Sequence, residues 1–225
     1  MIRFMKLELR KHKIGGLMTG LLVINLLIAG GLTGLAYGVK LTQGVHIFSS
    51  YSLMVLASLA LIRPVALIFS ALFLSRIVIE EFKNKTIALM FLYPYSRKQV
   101  LVYKALMVFL FTVLVVLGST LFFLMAILSL NPFFHVIEGS MRWSDLLGPS
   151  LYLVMDAVLL GLSSLIPMYV GLLKFSAPAL FASEIILLLM LSSSISANPI
   201  SYSAVGLAGV LAVVLSVRRV NNLDF

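Results

Sequence analysis

The chain has 225 residues, 61% of them hydrophobic and only 11% charged. A soluble domain carries about 25% charged residues, so a soluble globular class is excluded, and the repeated apolar runs longer than about 18 residues identify transmembrane helices. The net charge is +9, from 17 basic and 8 acidic residues. In so apolar a chain the basic residues set orientation rather than bind nucleic acid. The absence of cysteine excludes disulfides, thiolate metal sites and a cysteine nucleophile.

In chain order, residues 1–13 come first. On a helical wheel Lys13, Lys6, Arg10 and Arg3 share one arc, with Met1, Met5, Leu9 and Ile2 beside them. Phe4 and Leu7 fall outside the apolar arc. The pattern predicts an amphipathic helix lying in the membrane interface and turning into the first span at Gly15-Gly16. A disordered basic tail that only enforces topology is the alternative.

Six spans are predicted, over about 14–37, 54–77, 100–128, 146–172, 179–196 and 202–217. The first lacks a small-residue cleavage site and reads as an uncleaved helix. The fifth and sixth are short and joined at Ala197-Asn198-Pro199-Ile200-Ser201, a tight hairpin in which Pro199 ends regular helix. Four spans and a re-entrant pair form the alternative count. The fold class is therefore all-α and polytopic, one transmembrane domain over residues 1–225. Barrel strands, with their alternating segments, are absent from the pattern.

Orientation follows from the basic residues. Lys40 and Arg142 fall on one side, Arg63 lies within a span, and all the others gather on the opposite side. The positive-inside rule places that side, with both termini and the loop after the second span, in the cytoplasm. Tyr37, Tyr51, Trp143 and Tyr202 fall near the outer edge and Tyr93, Tyr95 and Tyr103 near the inner one, as aromatic belts do.

The loop is punctuated. Helix continues past 77 because Ile79-Glu80-Glu81-Phe82-Lys83 holds no breaker. An apolar stretch, 86–92, then lies against the membrane or in a groove. Pro94 interrupts it, and Ser96 with Gln99 makes a capping box, with Tyr95 and Val100 at the staple positions. The expected sequence is helix, short cytoplasmic helix, sharp turn, helix, over 78–99.

Catalytic motifs are missing. No G-x-x-x-x-G-K-[ST] string cradles phosphate, no G-x-S-x-G elbow occurs, and His12, His46 and His135 stand on separate loops without zinc spacing. Glu80-Glu81 is followed by lysines rather than the arginine of an intramembrane Glu-Glu-x-x-x-Arg protease. No enzyme activity is expected of the chain, and no cofactor.

Arg63, Asp156 and Glu184 are charges inside predicted spans. Arg63 and Asp156 each lie about ten residues, roughly 15 Å, from the outer side. A lone charge at that depth is costly, so the two are expected to pair, bracing spans two and four or lining a pathway, with Pro64 opening the backbone beside them. Glu184 is expected to snorkel to the cytoplasmic edge or cap its own helix N-terminus, with substrate binding as the alternative. Gly16/Gly20 and Gly30/Gly34 have helix-packing spacing on the first span.

Glu80-Glu81-Phe82-Lys83-Asn84-Lys85-Thr86-Ile87, then Leu92-Tyr93-Pro94-Tyr95-Ser96-Arg97 and Lys104, resembles the signature of ABC-2-type transporter permeases, especially the small six-span bacitracin and lantibiotic type. Leu7-Glu8-Leu9-Arg10-Lys11 also looks like their start. Tyr95 stands where that family has valine or isoleucine. The resemblance implies two permease copies, identical or similar, on two soluble ATPase subunits that hold ATP and Mg. It makes residues 80–97 the coupling helix that docks on the ATPase, with Glu80, Glu81, Lys83, Lys85 and Arg97 steering the partner. The expected function is outward movement of a hydrophobic or amphipathic peptide through the cell membrane. The rival is a membrane immunity or scaffold protein that sequesters a peptide without ATP. A channel is disfavoured, since no filter motif occurs.

Overall fold

The computed structural model describes residues 15–44, 46–48, 50–83, 97–137, 143–174, 176–192 and 199–221. The interfacial-helix residues Arg3, Lys6, Arg10 and Lys13 lie outside them, as do Lys85, Thr86, Leu92, Tyr93, Pro94 and Ser96. The described chain forms α1 (Gly15–Gln43), α2 (Tyr51–Leu74), a π turn (Ser75–Ile79), α3 (Glu80–Lys83), α4 (Arg97–Phe134), α5 (Trp143–Ser163), α6 (Ile166–Lys174), α7 (Ala177–Ser192) and α8 (Pro199–Asn221). Among the described residues the one β contact is a bridge between Phe48 and Ile137.

Five helical stretches are long and apolar enough to cross a membrane: Gly15–Gln43, Tyr51–Ile79, Lys98–Phe134, Ser150–Leu173 and Ile200–Val220. The described residues are thus almost entirely helical, with the long apolar helices of a multi-pass membrane protein. The expected fifth of six spans is the exception. α7 has 16 residues, about 24 Å of helix against about 30 Å of hydrocarbon. Pro199 also departs from expectation: it opens α8 instead of closing a helix, because a first-turn residue needs no amide partner.

The fourth span, expected unbroken, is interrupted. At the break Leu165 N–H reaches back only to Leu162 O, 3.1 Å, and Met168 N–H to Leu165 O, 3.2 Å. Pro167 supplies no amide of its own. Ser163 and Ser164 hydroxyls donate to the Leu159 and Gly161 carbonyls at 2.7 and 2.8 Å, competing for ladder acceptors. α1 and α4 both outrun their predicted ends. α1 stops at Gly44, φ +66°, whose N–H meets Lys40 O at 2.9 Å. α4 stops at His135, φ +47°, whose N–H meets Asn131 O at 2.8 Å. Both are left-handed helix stops, one made by glycine and one by a strained histidine.

The chain divides into two compact units. One comprises 15–65 and 114–157. There α1 buries a single stripe, Leu17, Leu21, Asn25, Ala29, Thr33 and Ala36, at three- and four-residue spacing. Its other faces expose Leu22, Leu26, Leu27 and Leu35, as lipid permits. Ala29, Ala36, Met54, Ile62, Phe123 and Ile127 form the core, and Asn25 Nδ2 donates to Ser119 Oγ at 3.0 Å. At one end Lys40 Nζ donates to the carbonyls of Phe134 and His135, at 3.5 and 2.7 Å, closing the α4 terminus with a cation.

The other unit comprises 1–14, 66–113 and 158–225. Phe73 and Phe111 stack at 4.2 Å and 14°, joining α2 to α4. Thr112 and Ser164 hydroxyls lie 3.2 Å apart. α8 meets α5 through Gly206 and Gly209, where an added Cβ would sit 3.1 Å from Leu159 Cδ2 and inside the Leu162 carbonyl respectively. Arg219 Nη2 donates to Leu173 O at 3.1 Å and caps α6. By contrast Gly16, Gly30 and Gly34, which have packing spacing on α1, meet nothing within 4 Å among the described residues.

Candidate functional site

In the second unit, α2 carries its polar signal at its far end. The turn Ser75–Ile79 is wide: Glu80 N–H bonds Ser75 O, five residues back. Such turns insert a residue into a helix and occur often at functional sites. They also pull carbonyls out of the ordinary ladder. Lys104 Nζ donates to the carbonyl of Ile77 at 2.6 Å. The same ammonium is ion-paired with Glu81. The side chains of Lys104 and Glu81 are 0% and 3% exposed, and Ile77, Val78, Ile79, Val100, Leu101 and Ala105 on the same turns are all buried. A lysine is almost never fully buried unless paired, and here both charge and carbonyl are met.

Glu80, one residue earlier, is exposed, so the adjacent acids face opposite ways. α3 ends with Phe82 and Lys83, and Arg97 opens α4. Of the residues expected to meet a partner, Glu81 is therefore turned inward, while Glu80 points outward. Sequence reasoning took Lys104 only as a marker of the resemblance and missed its partner. The signal available was Lys104 itself, a lone cation among apolar residues of the third predicted span, which calls for an acidic partner.

Glu184 sits in the same unit, midway along α7. Leu180, Glu184, Leu187 and Leu191 form its buried stripe, so the carboxylate is carried inward. It neither snorkels nor caps its helix. Oε1 lies 3.4 Å from Ser70 Oγ, and that hydroxyl already donates to Leu67 O at 2.7 Å. Oε2 has no hydrogen-bond partner among the described residues. On the adjacent face of α7, Ala179, Ala182, Ser183, Ile186 and Met190 help line an apolar groove of about 570 Å³ with residues of α6 and α8.

In the first unit Arg63 and Asp156 meet. Arg63 Nη2 and Nε donate to Asp156 Oδ1 and Oδ2 at 2.7 and 3.2 Å, a bidentate pair. Nη2 also donates to Tyr152 Oη at 2.9 Å. Tyr152 lies one helical turn before Asp156, a third member the depth argument did not find. The arginine is 18% exposed and the aspartate is fully buried. α2 runs helical through Pro64. The cluster is charge-neutral and satisfied, which suits bracing. Among the described residues no group of three or more acidic, histidine or cysteine side chains is placed to hold a metal ion.

Over 228 aligned residues the chain is 28% identical to the uncharacterized protein YcbO of Bacillus subtilis (strain 168), spanning 99% of this chain and 100% of that one. No protein-family model matches the chain. No solved structure matches it either.

Proposed function

We propose that this chain is the permease subunit of an ABC-2-type exporter of the small peptide-exporting kind. Two copies, identical or similar, span the cell membrane with both termini in the cytoplasm, and each rests on a separate ATPase subunit that holds ATP and Mg. The 84–96 segment and the exposed Glu80 form the docking surface. The cargo is a hydrophobic or amphipathic peptide moved outward. The chain itself supplies no nucleotide site and no catalytic residue.

The observation that carries this reading is the buried ion pair between the two helices that flank that segment in the chain. Glu81 and Lys104, two of the residues behind the family resemblance, are buried against each other at its root, and Lys104 also takes the Ile77 carbonyl. A merely topogenic loop needs no buried charge pair at its base, since basic residues in water suffice for orientation. Arg63 and Asp156 brace the helices elsewhere, and Glu184, with an unmet oxygen, is the candidate pathway acid, as unpaired intramembrane acids usually serve function.

The test is co-purification. The neighbouring reading frames are searched for an ABC ATPase, the chain is expressed with it, and residues 84–93 are replaced by Gly/Ser, leaving Glu81 and Lys104 in place. The wild type is expected to hold the ATPase in detergent and the replacement to lose it. Equal retention by both removes the docking assignment. Peptide binding by the chain without any ATPase supports a sequestering immunity protein instead.

A further inference from the structure

We infer that the pocket at the C-terminal ends of α1 and α4 binds the phosphate of an anionic glycerophospholipid. It does so whether or not the chain is an exporter. The pocket holds about 530 Å³, and Lys40, His46, Tyr51, Asn131 and His135 line it with a few apolar side chains. Lys40, His46 and His135 are basic, and the lining carries no acid. Sequence spacing set the two histidines on separate loops; the fold brings both to one pocket. Its donors are prearranged. Ile137 N–H donates to Asn131 Oδ1 at 3.0 Å, which turns the amide nitrogen onto Tyr51 Oη at 2.8 Å. The phenol accepts there and keeps its own O–H to give. His46 Nδ1 donates to Val136 O at 3.1 Å, which fixes that ring. Lys40 Nζ meets the carbonyls of Phe134 and His135, with a third N–H on the same atom. His135 stops α4 at φ +47°, where glycine stops a helix without strain. Backbone strain of that kind gathers at functional sites.

The pocket's level selects a lipid. α1 has 29 residues, about 44 Å of helix, which outruns ~30 Å of hydrocarbon and carries its end into the headgroup layer. Leu41, Ile47 and Phe133, chain neighbours of lining residues, are exposed and offer acyl chains an apolar rim. A lysine and two imidazoles with no lining acid favour a head of net negative charge over one that carries its own ammonium. The test is native mass spectrometry of the full chain in mild detergent, titrated with phosphatidylglycerol, phosphatidylcholine or inorganic phosphate, singly and in competition. The wild type is expected to bind one phosphatidylglycerol about tenfold tighter than phosphatidylcholine, and equimolar inorganic phosphate is expected not to displace it. Lys40→Met and His135→Asn are each expected to weaken phosphatidylglycerol about tenfold, the worth of one charge-assisted hydrogen bond, and to leave phosphatidylcholine unchanged. Asparagine keeps the left-handed stop, so His135→Asn decides the matter if Lys40→Met fails to fold. A merely structural pocket would lower melting temperature in these variants and leave the affinity ratio of the two lipids as in the wild type. That result, or equal binding of both lipids by the wild type, overturns the inference. Displacement by equimolar inorganic phosphate overturns the lipid assignment and makes the site one for free phosphate.

Discussion

Arg63 and Asp156 show how burial decides the worth of a charge. Each alone would be an uncompensated ion among apolar helices; together they are bidentate and nearly dry. Arg63→Ala and Asp156→Ala are each expected to cost about 3–5 kcal/mol. The double variant should cost clearly less than the sum, since residues in contact couple by about 0.5–3 kcal/mol; unfolding in detergent followed by circular dichroism checks this, and strict additivity would rule the pair out. Glu184 behaves in the opposite way. Its Oε2 lacks a partner among the described residues, and an unmet buried polar group costs about 1–3 kcal/mol. Glu184→Leu should therefore stabilise the protein by about that amount in the same assay, while lowering export if the acid belongs to the pathway. A destabilised Glu184→Leu would mean that the carboxylate is structural.

Helix packing turns on single atoms of backbone. Gly209 lets α8 lie on the Leu162 carbonyl, and a Cβ there has nowhere to go. Gly209→Ala should cost about 1–3 kcal/mol or more through overpacking, read as a fall in melting temperature. Gly206→Ala comes nearest the movable Leu159 side chain, at 3.1 Å, with its other contacts at ordinary van der Waals distance, and should cost less. Gly34→Ala on α1 meets open space and should leave stability unchanged or slightly raised, since alanine is the better helix former. Spacing favoured the α1 glycines, yet the α8 pair makes the close contact. A three-residue and a four-residue repeat are equally visible in a chain; which one meets a neighbour depends on where that neighbour runs. The helix breaks teach the same lesson. Residues 146–172 read as one largely apolar rod, but Ser163, Ser164 and Pro167 act together to part α5 from α6.

For the whole molecule, orientation is the largest quantity at stake. Single cysteines at Leu92 and Arg142, in a chain with none of its own, should react with opposite preference toward an impermeant maleimide in intact cells: Arg142 labelled, Leu92 protected until the membrane is opened. Labelling of Leu92 from outside would invert the protein and end the docking proposal. Helical class and membrane residence were legible from hydropathy alone, because a lipid solvent forces backbone bonds to close within each segment and leaves long apolar runs as the trace. The meeting of Arg63 and Asp156 was legible too, since equal distances from one end of their predicted spans put both at one level. What only the tertiary structure decided is direction around each helix: that Glu81 turns in while Glu80 turns out, that Lys104 finds a π-turn carbonyl, and that Glu184 faces Ser70 instead of water. The reason is that sequence fixes where along an axis a side chain stands, whereas in a lipid-facing helix with apolar residues on every side no polar stripe announces the inward face, and only a packed neighbour selects it.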